Sequence, residues 1–292
     1  MKDWERIRIE RRDITDYVIH CIRDRYENRK HIKPIDTLIE ILKCGYIKPS
    51  FAARTSIYGG SKRDTIKGPY PAVCFMEQTL ENFITSCHVL QGRYRPYGIA
   101  LHKRALFKYG GRPVIYGSED ILGRKLKPNE PEYEQGKEIY TGGLPKEYQY
   151  LWVRYQPVPD MHGYVVDWTH EREWHCRVKT FYHDIRGFLP REGVPIFLPQ
   201  FVEVDKNIRH LPILLVLKQE EKELLGQLIK TSPEQLTSEC KNEYFREYLE
   251  ILSKIKIVAI DEAEEHLNLG ESHWARLEGI PLKIDDNLTP IF

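Results

Sequence analysis

Short apolar runs of strand length, interleaved with helical patterns in no regular order, constrain the fold of this chain most strongly. Strand-like runs occupy 72–76, 97–101, 113–116, 194–204, 213–217 and 255–260. Helical spacing of apolar residues fits 13–27, 34–45, 79–90, 146–155, 218–230 and 239–254. Regular alternation would predict a doubly wound parallel sheet. The irregular order predicts an α+β fold, with a mixed β-sheet core and flanking helices.

The segment 31–50 gives the clearest local prediction. A short strand ends near His31, Pro34 suits the first turn of a helix, and Gly45 stands where a left-handed C-cap belongs. The predicted buried stripe of this helix is Ile35, Leu38, Ile39 and Leu42. An extended segment follows at 46–50.

The length of 292 residues fits one large domain, or a domain with a substantial extension. We predict an N-terminal amphipathic helix within 1–28 and a catalytic core over 29–204. Residues 205–292 are expected to form an α/β C-terminal extension that packs on the core. Residues 117–143 are polar, carry several glycines and prolines, and are expected to form a long loop.

Composition excludes several classes of protein. A formal net charge of +1 gives no bulk electrostatic argument for nucleic-acid binding. No run approaches 18 apolar residues, and the charged start of the chain lacks the apolar segment of a signal peptide, so no membrane association is expected. Six scattered cysteines without a CxxC pair predict reduced thiols in a cytoplasmic protein and no metal site.

The segment from Asp167 to Cys176 carries the strongest chemical signal. Glu171 and Glu173 are two residues apart and are flanked by Trp168 and Trp174. Residues i and i+2 of a strand share one face, so both carboxylates are predicted to enter one pocket. Carboxylates beside bulky aromatic residues are typical of a site that places an acid or base next to a planar ligand.

The order of these pieces resembles the ADP-ribosyltransferase fold, a split mixed β-sheet with flanking helices. In that family a first strand ends in a histidine or arginine, a helix of the type LxxILxxG follows, and a late strand carries the catalytic glutamate, often as Glu-x-Glu. The counterparts here are His31, residues 38–45, and Glu171 with Glu173. The resemblance covers roughly residues 29–180.

The chain is also similar to bacterial phage-defence proteins of the abortive-infection and toxin–antitoxin kind. Those proteins carry the motifs VCFxExxLEN and YGIxxxK ahead of EREWR. Here residues 73–82 read VCFMEQTLEN, residues 97–99 read YGI, and residues 171–174 read EREW. The chain departs from the pattern at His175, where arginine is usual.

These resemblances imply an NAD-dependent ADP-ribosyltransferase, the toxic effector of an antiphage or toxin–antitoxin system, with a possible antitoxin partner. Glu173 would stabilise the oxocarbenium-like transition state, and Glu171 would orient or deprotonate the acceptor. The remaining expected contacts are His31 with the adenosine ribose, Tyr58 or Tyr97 with nicotinamide, Arg54 with the pyrophosphate, and Trp168 and Trp174 as a wall against water.

Two classes of acceptor stay open: nucleic acid, which is either RNA or DNA, and protein. Lysines and arginines recur between residues 62 and 127 and give either a basic acceptor face or ordinary surface charge. Two other functions remain. One is a catalytically silent binding protein, an antitoxin or phage sensor, and histidine in place of arginine at position 175 favours it. The other is a metal-dependent nuclease that uses Asp167, Glu171 and Glu173.

Overall fold

The computed structural model describes most of the chain. The described residues are 11, 13–27, 29–51, 54–55, 62–89, 96–159, 165–178, 193–196, 211–231, 233, 249 and 252–277, with the backbone alone at 54–55 and 62–63. None of the helices in these ranges combines the length and the apolar character needed to cross a bilayer.

Seventeen strands are numbered in chain order within the described ranges. They are β1 Tyr17–Cys21, β2 Arg25–Glu27, β3 Lys30–Ile32, β4 Tyr46–Ile47, β5 Arg54–Thr55, β6 Lys62–Arg63, β7 Val73–Met76, β8 Gly98–His102, β9 Arg112–Pro113, β10 Ile115–Gly117, β11 Gly123–Lys125, β12 Tyr140–Gly142, β13 Trp152–Arg154, β14 Glu173–Cys176, β15 Val194–Pro195, β16 Ile213–Val216 and β17 Lys256–Ala259.

The described helices fall into two kinds. The α-helices are α1 Pro34–Cys44, α2 Leu80–Val89, α3 Lys103–Tyr109, α4 Gln219–Thr231 and α5 Ile260–Asn268, and the 3-10 helices are Glu119–Ile121, Lys146–Leu151, Thr169–Glu171 and Ser272–Ala275. Helix α1 confirms the predicted helix and its ends, whereas the predicted buried stripe is confirmed at Leu38 and Leu42 and is only partly buried at Ile35 and Ile39. Pro34 lies in its first turn, and Gly45 ends it in the left-handed conformation with φ of 77°.

Seven strands form the central sheet in the order β17-β16-β8-β1-β7-β14-β9. Every neighbouring pair is antiparallel except β16 and β17, which are parallel and are joined through α4. The fold is therefore mixed α/β with a mostly antiparallel sheet, in agreement with the α+β prediction and unlike a doubly wound parallel sheet.

Helices cover both faces of this sheet and bury two apolar layers. On one face α1, α3 and α4 pack against residues such as Val18, Phe75 and Leu214. On the other face α2 and α5 pack against residues such as Ile19 and Leu215. The described part of 205–292 contributes β16 and β17 to this same sheet.

The predicted N-terminal helix over 13–27 is wrong, because this segment supplies the central strand β1. Val18 and Ile19 are adjacent, and both are fully buried, in opposite apolar layers. A strand with both faces covered reads as a continuous apolar run, and such a run also fits helical spacing. The segment is a strand because both of its faces are buried in the sheet.

Several shorter predictions change in detail. The helix expected over 146–155 is a 3-10 helix, Lys146–Leu151, followed by β13, and the predicted loop 117–143 contains the β11–β12 hairpin. The strand expected over 113–116 is divided between β9 and β10. Residues 197–204 and most of 239–254 lie outside the described residues.

The sheet opens between β1 and β7. These two strands match at a single pair, Ile19 with Met76, whereas β1 matches β8 over five pairs. Beyond Ile19 a side chain replaces the backbone ladder, since Nδ1 of His20 lies 2.9 Å from the carbonyl oxygen of Cys74. The two halves of the sheet therefore separate at this point and leave a cleft.

Candidate functional site

A cavity of about 300 Å³ occupies the cleft where β1 and β7 separate. Its volume is at the lower end of the range for small-molecule sites, roughly 300–1,000 Å³. The polar side chains that line it include His20, Arg23, Lys48, Cys74, Glu171 and Glu173. Two cations and two carboxylates therefore share one small cavity.

Glu171 and Glu173 both line this cavity, but the backbone that carries them differs from the predicted strand. Glu171 ends the 3-10 helix Thr169–Glu171, and β14 begins only at Glu173. Arg172 between them adopts the left-handed conformation, with φ of 45° and ψ of 55°. The expectation that the two carboxylates share a strand face is wrong, whereas the expectation that they share a pocket is confirmed.

The left-handed turn at Arg172 is held by contacts from elements distant in sequence. The backbone N–H of Glu77 donates to the carbonyl oxygens of Glu171 and Arg172, at 3.1 and 3.2 Å. The Arg172 guanidinium donates to the carbonyl oxygen of Asp13 at 2.9 Å and lies 3.2 Å from the Glu77 carboxylate. A left-handed non-glycine residue is unfavourable and persists when its surroundings impose it.

Glu77 is a buried structural carboxylate. It also accepts hydrogen bonds from Nζ of Lys103 and Nε1 of Trp174, both at 2.9 Å. Trp174 follows Glu173 directly in β14, so its side chain faces the opposite side of the strand. It lies in the apolar layer that contains α1. The structure does not place Trp174 at the cavity.

Glu173, His175 and Cys74 form a compact polar cluster beside the cavity. A carboxylate oxygen of Glu173 lies 3.0 Å from Nε2 of His175, and Nδ1 of the same ring donates to the carbonyl oxygen of Tyr150. Cys74 stands directly opposite His175 in the β7–β14 ladder. The sulfur, the ring nitrogen and the carboxylate oxygen all lie within 4.8 Å of one another.

The electrostatics of this cluster favour the protonated form of His175. Burial alone would lower its pKa, but the neighbouring Cys74 and Glu173 outweigh burial and hold the pKa of His175 well above its ordinary value of 6.5. Both ring nitrogens then act as donors, to Glu173 and to Tyr150.

Tyr116 fixes the start of β14. The backbone N–H of Glu173 donates to the Tyr116 hydroxyl at 2.8 Å, and that hydroxyl donates to the carbonyl oxygen of Trp168 at 3.2 Å. Burial raises the pKa of Tyr116, so its hydroxyl stays protonated and able to donate. The position of Glu173 is thus set from two sides, by Tyr116 and by His175.

His20 is the lining residue that sequence reasoning most clearly missed. Its Nδ1 contacts the carbonyl oxygen of Cys74, so Nδ1 carries the hydrogen. Burial lowers the pKa of His20, which keeps the ring neutral at pH 7 and leaves Nε2 as an acceptor. The helix predicted over 13–27 placed this histidine outside any strand, although the resemblance implies a histidine near the end of the first strand.

Comparison of the chain with models of known protein families, with curated proteins and with solved structures finds no match.

The described members of the remaining set of predicted binding residues lie away from the cavity. His31 lies on the exposed β2–β3 hairpin, where Nε2 is 2.7 Å from Asp24 and the ring stacks on Tyr26. Tyr97 is buried in the apolar layer and donates to the carboxylate of Glu221 at 2.8 Å. The Arg54 side chain and Tyr58 lie outside the described residues. Neither His31 nor Tyr97 lines this cavity, which differs from the expectation that they contact the cofactor beside Glu171 and Glu173.

Several bases between residues 62 and 127 are already engaged in ion pairs. The described pairs are Lys67 with Glu138, Lys103 with Glu77, Arg124 with Glu130, and Lys125 with Glu138. Neighbouring carboxylates offset much of their charge. The described part of this segment therefore fits ordinary surface charge better than a basic acceptor face.

Proposed function

We propose that the β1–β7 cleft binds NAD and catalyses ADP-ribosyl transfer, the activity of an antiphage or toxin–antitoxin effector. The observation that carries this proposal is the pairing of charges in one cavity: Arg23 and Lys48 with Glu171 and Glu173. NAD has the complementary pattern, because its pyrophosphate is anionic and its nicotinamide ribose becomes cationic as the bond to nicotinamide breaks. The cavity would enclose part of the dinucleotide and leave the rest along its open side.

Glu173 is the residue best placed to stabilise the cationic transition state. Tyr116 holds its backbone and His175 holds its carboxylate, so the charge needs little reorganisation during the reaction. The C–N bond between ribose and nicotinamide breaks, and its electron pair leaves with nicotinamide, which departs neutral. The acceptor nucleophile then forms the new bond to the ribose carbon and gives its proton to Glu171.

His20 takes the place that the resemblance assigned to His31. It lies on the first strand of the sheet and lines the cavity, and its Nε2 is an acceptor suited to a ribose hydroxyl. Arg23 is two residues beyond the end of the same strand and suits the pyrophosphate, which arginine binds bidentately.

A catalytically silent binding protein is the second candidate. The ion pair between Glu173 and His175 favours it, because a carboxylate committed to a buried imidazolium is less available to a substrate cation. The nuclease is not favoured. Asp167, its third acid, is exposed and accepts hydrogen bonds from the backbone and hydroxyl of Thr169, away from the cavity.

Labelled NAD distinguishes the two leading candidates. Wild type, Glu173→Gln and the control Glu119→Gln are each offered single-stranded DNA, RNA or lysate protein. Glu119 is an exposed carboxylate outside the cavity. Transfer to one polymer by wild type and by Glu119→Gln, with loss in Glu173→Gln, would support the transferase and identify the acceptor. Absence of transfer, of nicotinamide release and of NAD binding would overturn it and favour the binding protein.

A further inference from the structure

Three different donor atoms converge beside the cleft because of strand geometry. Glu173 and His175 are two residues apart on β14 and so project from one face of the sheet. Cys74 is the antiparallel partner of His175 on β7 and projects from that same face. A thiol, an imidazole and a carboxylate thereby meet within 4.8 Å on two adjacent, hydrogen-bonded strands.

The spacing and chemistry of these donors fit a transition metal. Zinc takes sulfur, nitrogen and oxygen ligands at about 2.0–2.3 Å, which places tetrahedral donors roughly 3.3–3.7 Å apart. The carboxylate oxygen of Glu173 and Nε2 of His175 are 3.0 Å apart, and the sulfur of Cys74 lies within 4.8 Å of both, so metal binding would require side-chain rotation without movement of the paired strands. A thiolate in the set selects zinc-like ions over magnesium or calcium, which prefer oxygen.

The surroundings of His175 match those of a metal-binding histidine. Such a histidine usually donates its second ring N–H to a carbonyl or carboxylate, which fixes the tautomer and the ring orientation. Here Nδ1 donates to the carbonyl oxygen of Tyr150, and a metal ion would take the place of the proton between Nε2 and Glu173. Glu173 and Cys74 also line the cavity, so a fourth coordination position would face open space.

We propose that Cys74, Glu173 and His175 form a three-ligand site for Zn²⁺ or a similar divalent transition metal, with the fourth position open to the cleft. The sequence concealed this site, because the spacing of the cysteines and histidines predicted none and the thiol lies on a separate strand.

Metal binding has a regulatory consequence that rests on the proposed transferase function. A metal ion bound to Glu173 neutralises the carboxylate that would stabilise the substrate cation. Zn²⁺ therefore inhibits NAD cleavage, and chelation restores it. The metal site itself does not depend on that function, so the two are tested separately.

Cobalt(II) absorption tests the site without NAD. The full-length protein is stripped with EDTA, freed of chelator and titrated with Co²⁺, and the thiolate-to-cobalt charge-transfer band is recorded for wild type, Cys74→Ser and His175→Gln. Cys87→Ser is the control, because Cys87 lies outside the cluster. We expect one Co²⁺ per chain with a thiolate band, no such band in Cys74→Ser, affinity at least about tenfold weaker in His175→Gln, and no change in Cys87→Ser. A wild type without the band, or a band that survives in Cys74→Ser, would overturn the site.

Protection from alkylation gives a second readout on the unmutated protein, in case Cys74→Ser fails to fold. Cys74 and Cys44 are both partly exposed, so mass spectrometry can follow the alkylation of each in one sample. Zn²⁺ should slow alkylation of Cys74 at least about tenfold and leave Cys44 unchanged. Equal rates with and without Zn²⁺ would refute the proposal. If the protein binds the metal but does not cleave NAD in EDTA, the metal site is supported and only the transferase function is rejected.

Discussion

The carboxylate of Glu173 and the imidazole of His175 lie 3.0 Å apart on one face of β14, at the edge of the cleft. The His175 side chain is 1% exposed and that of Glu173 is 15% exposed, so water contributes little to either charge. Each group compensates the other, and the pair also keeps an acidic oxygen at a fixed place beside the cavity. Both the proposed catalysis and the proposed metal site depend on this pair.

Stability should depend on pH through His175. Its folded pKa is raised above the unfolded value of 6.5, so its contribution is fully present below pH 6.5 and is lost as pH rises through the folded pKa. In EDTA, His175→Gln should reduce the free energy of unfolding by about 3 kcal/mol near pH 6, because Glu173 loses its buried partner. The difference should shrink at alkaline pH. Urea denaturation measures it, and a difference that grows with pH would contradict the assignment.

His20 and His31 should differ in their effect on NAD binding. His20 lines the cavity, whereas His31 lies on an exposed hairpin. In a Glu173→Gln background, which prevents turnover, His20→Ala should weaken NAD binding roughly tenfold, about 1.4 kcal/mol. His31→Ala is the matched control and should leave the affinity within about twofold. Isothermal titration calorimetry makes the comparison, and equal losses would remove His20 from the site.

Two substitutions of Arg172 separate the free-energy cost of its left-handed backbone from the stabilisation that its side chain provides. Both Arg172→Ala and Arg172→Gly lose the contacts with Asp13 and Glu77. Only alanine retains the penalty of positive φ, so it should destabilise the protein by about 1 kcal/mol more than glycine does. Urea denaturation of the two variants tests this. A glycine variant no more stable than the alanine variant would show that φ relaxes at no cost.

The parts of the fold that sequence predicted correctly are set by local signals. Helix α1 has a proline in its first turn and a glycine C-cap, and strands β7, β8 and β16 are compact apolar runs. The error at β1 has a physical cause: a strand buried on both faces lacks alternation, and its apolar residues also fit a helix.

The candidate site was only partly predictable because its geometry is tertiary. Glu171 and Glu173 are predicted from their spacing beside two tryptophans and from the family resemblance, and both line the cavity. The turn between them depends on Asp13 and Glu77, which contact Arg172 from elsewhere in the chain. Pairing of Cys74 with His175 depends on the register of β7 against β14, which local periodicity does not specify.

Release of nicotinamide tests the central proposal most directly, because transfer to any acceptor, water included, requires the same bond to break. Full-length wild type, Glu173→Gln and Glu119→Gln are incubated with NAD in EDTA, and free nicotinamide is quantified by chromatography. We predict release by wild type and by Glu119→Gln, and a rate at least about 100-fold lower in Glu173→Gln. Equal release by wild type and Glu173→Gln, or no release by wild type, would contradict catalysis by Glu173 in this cleft.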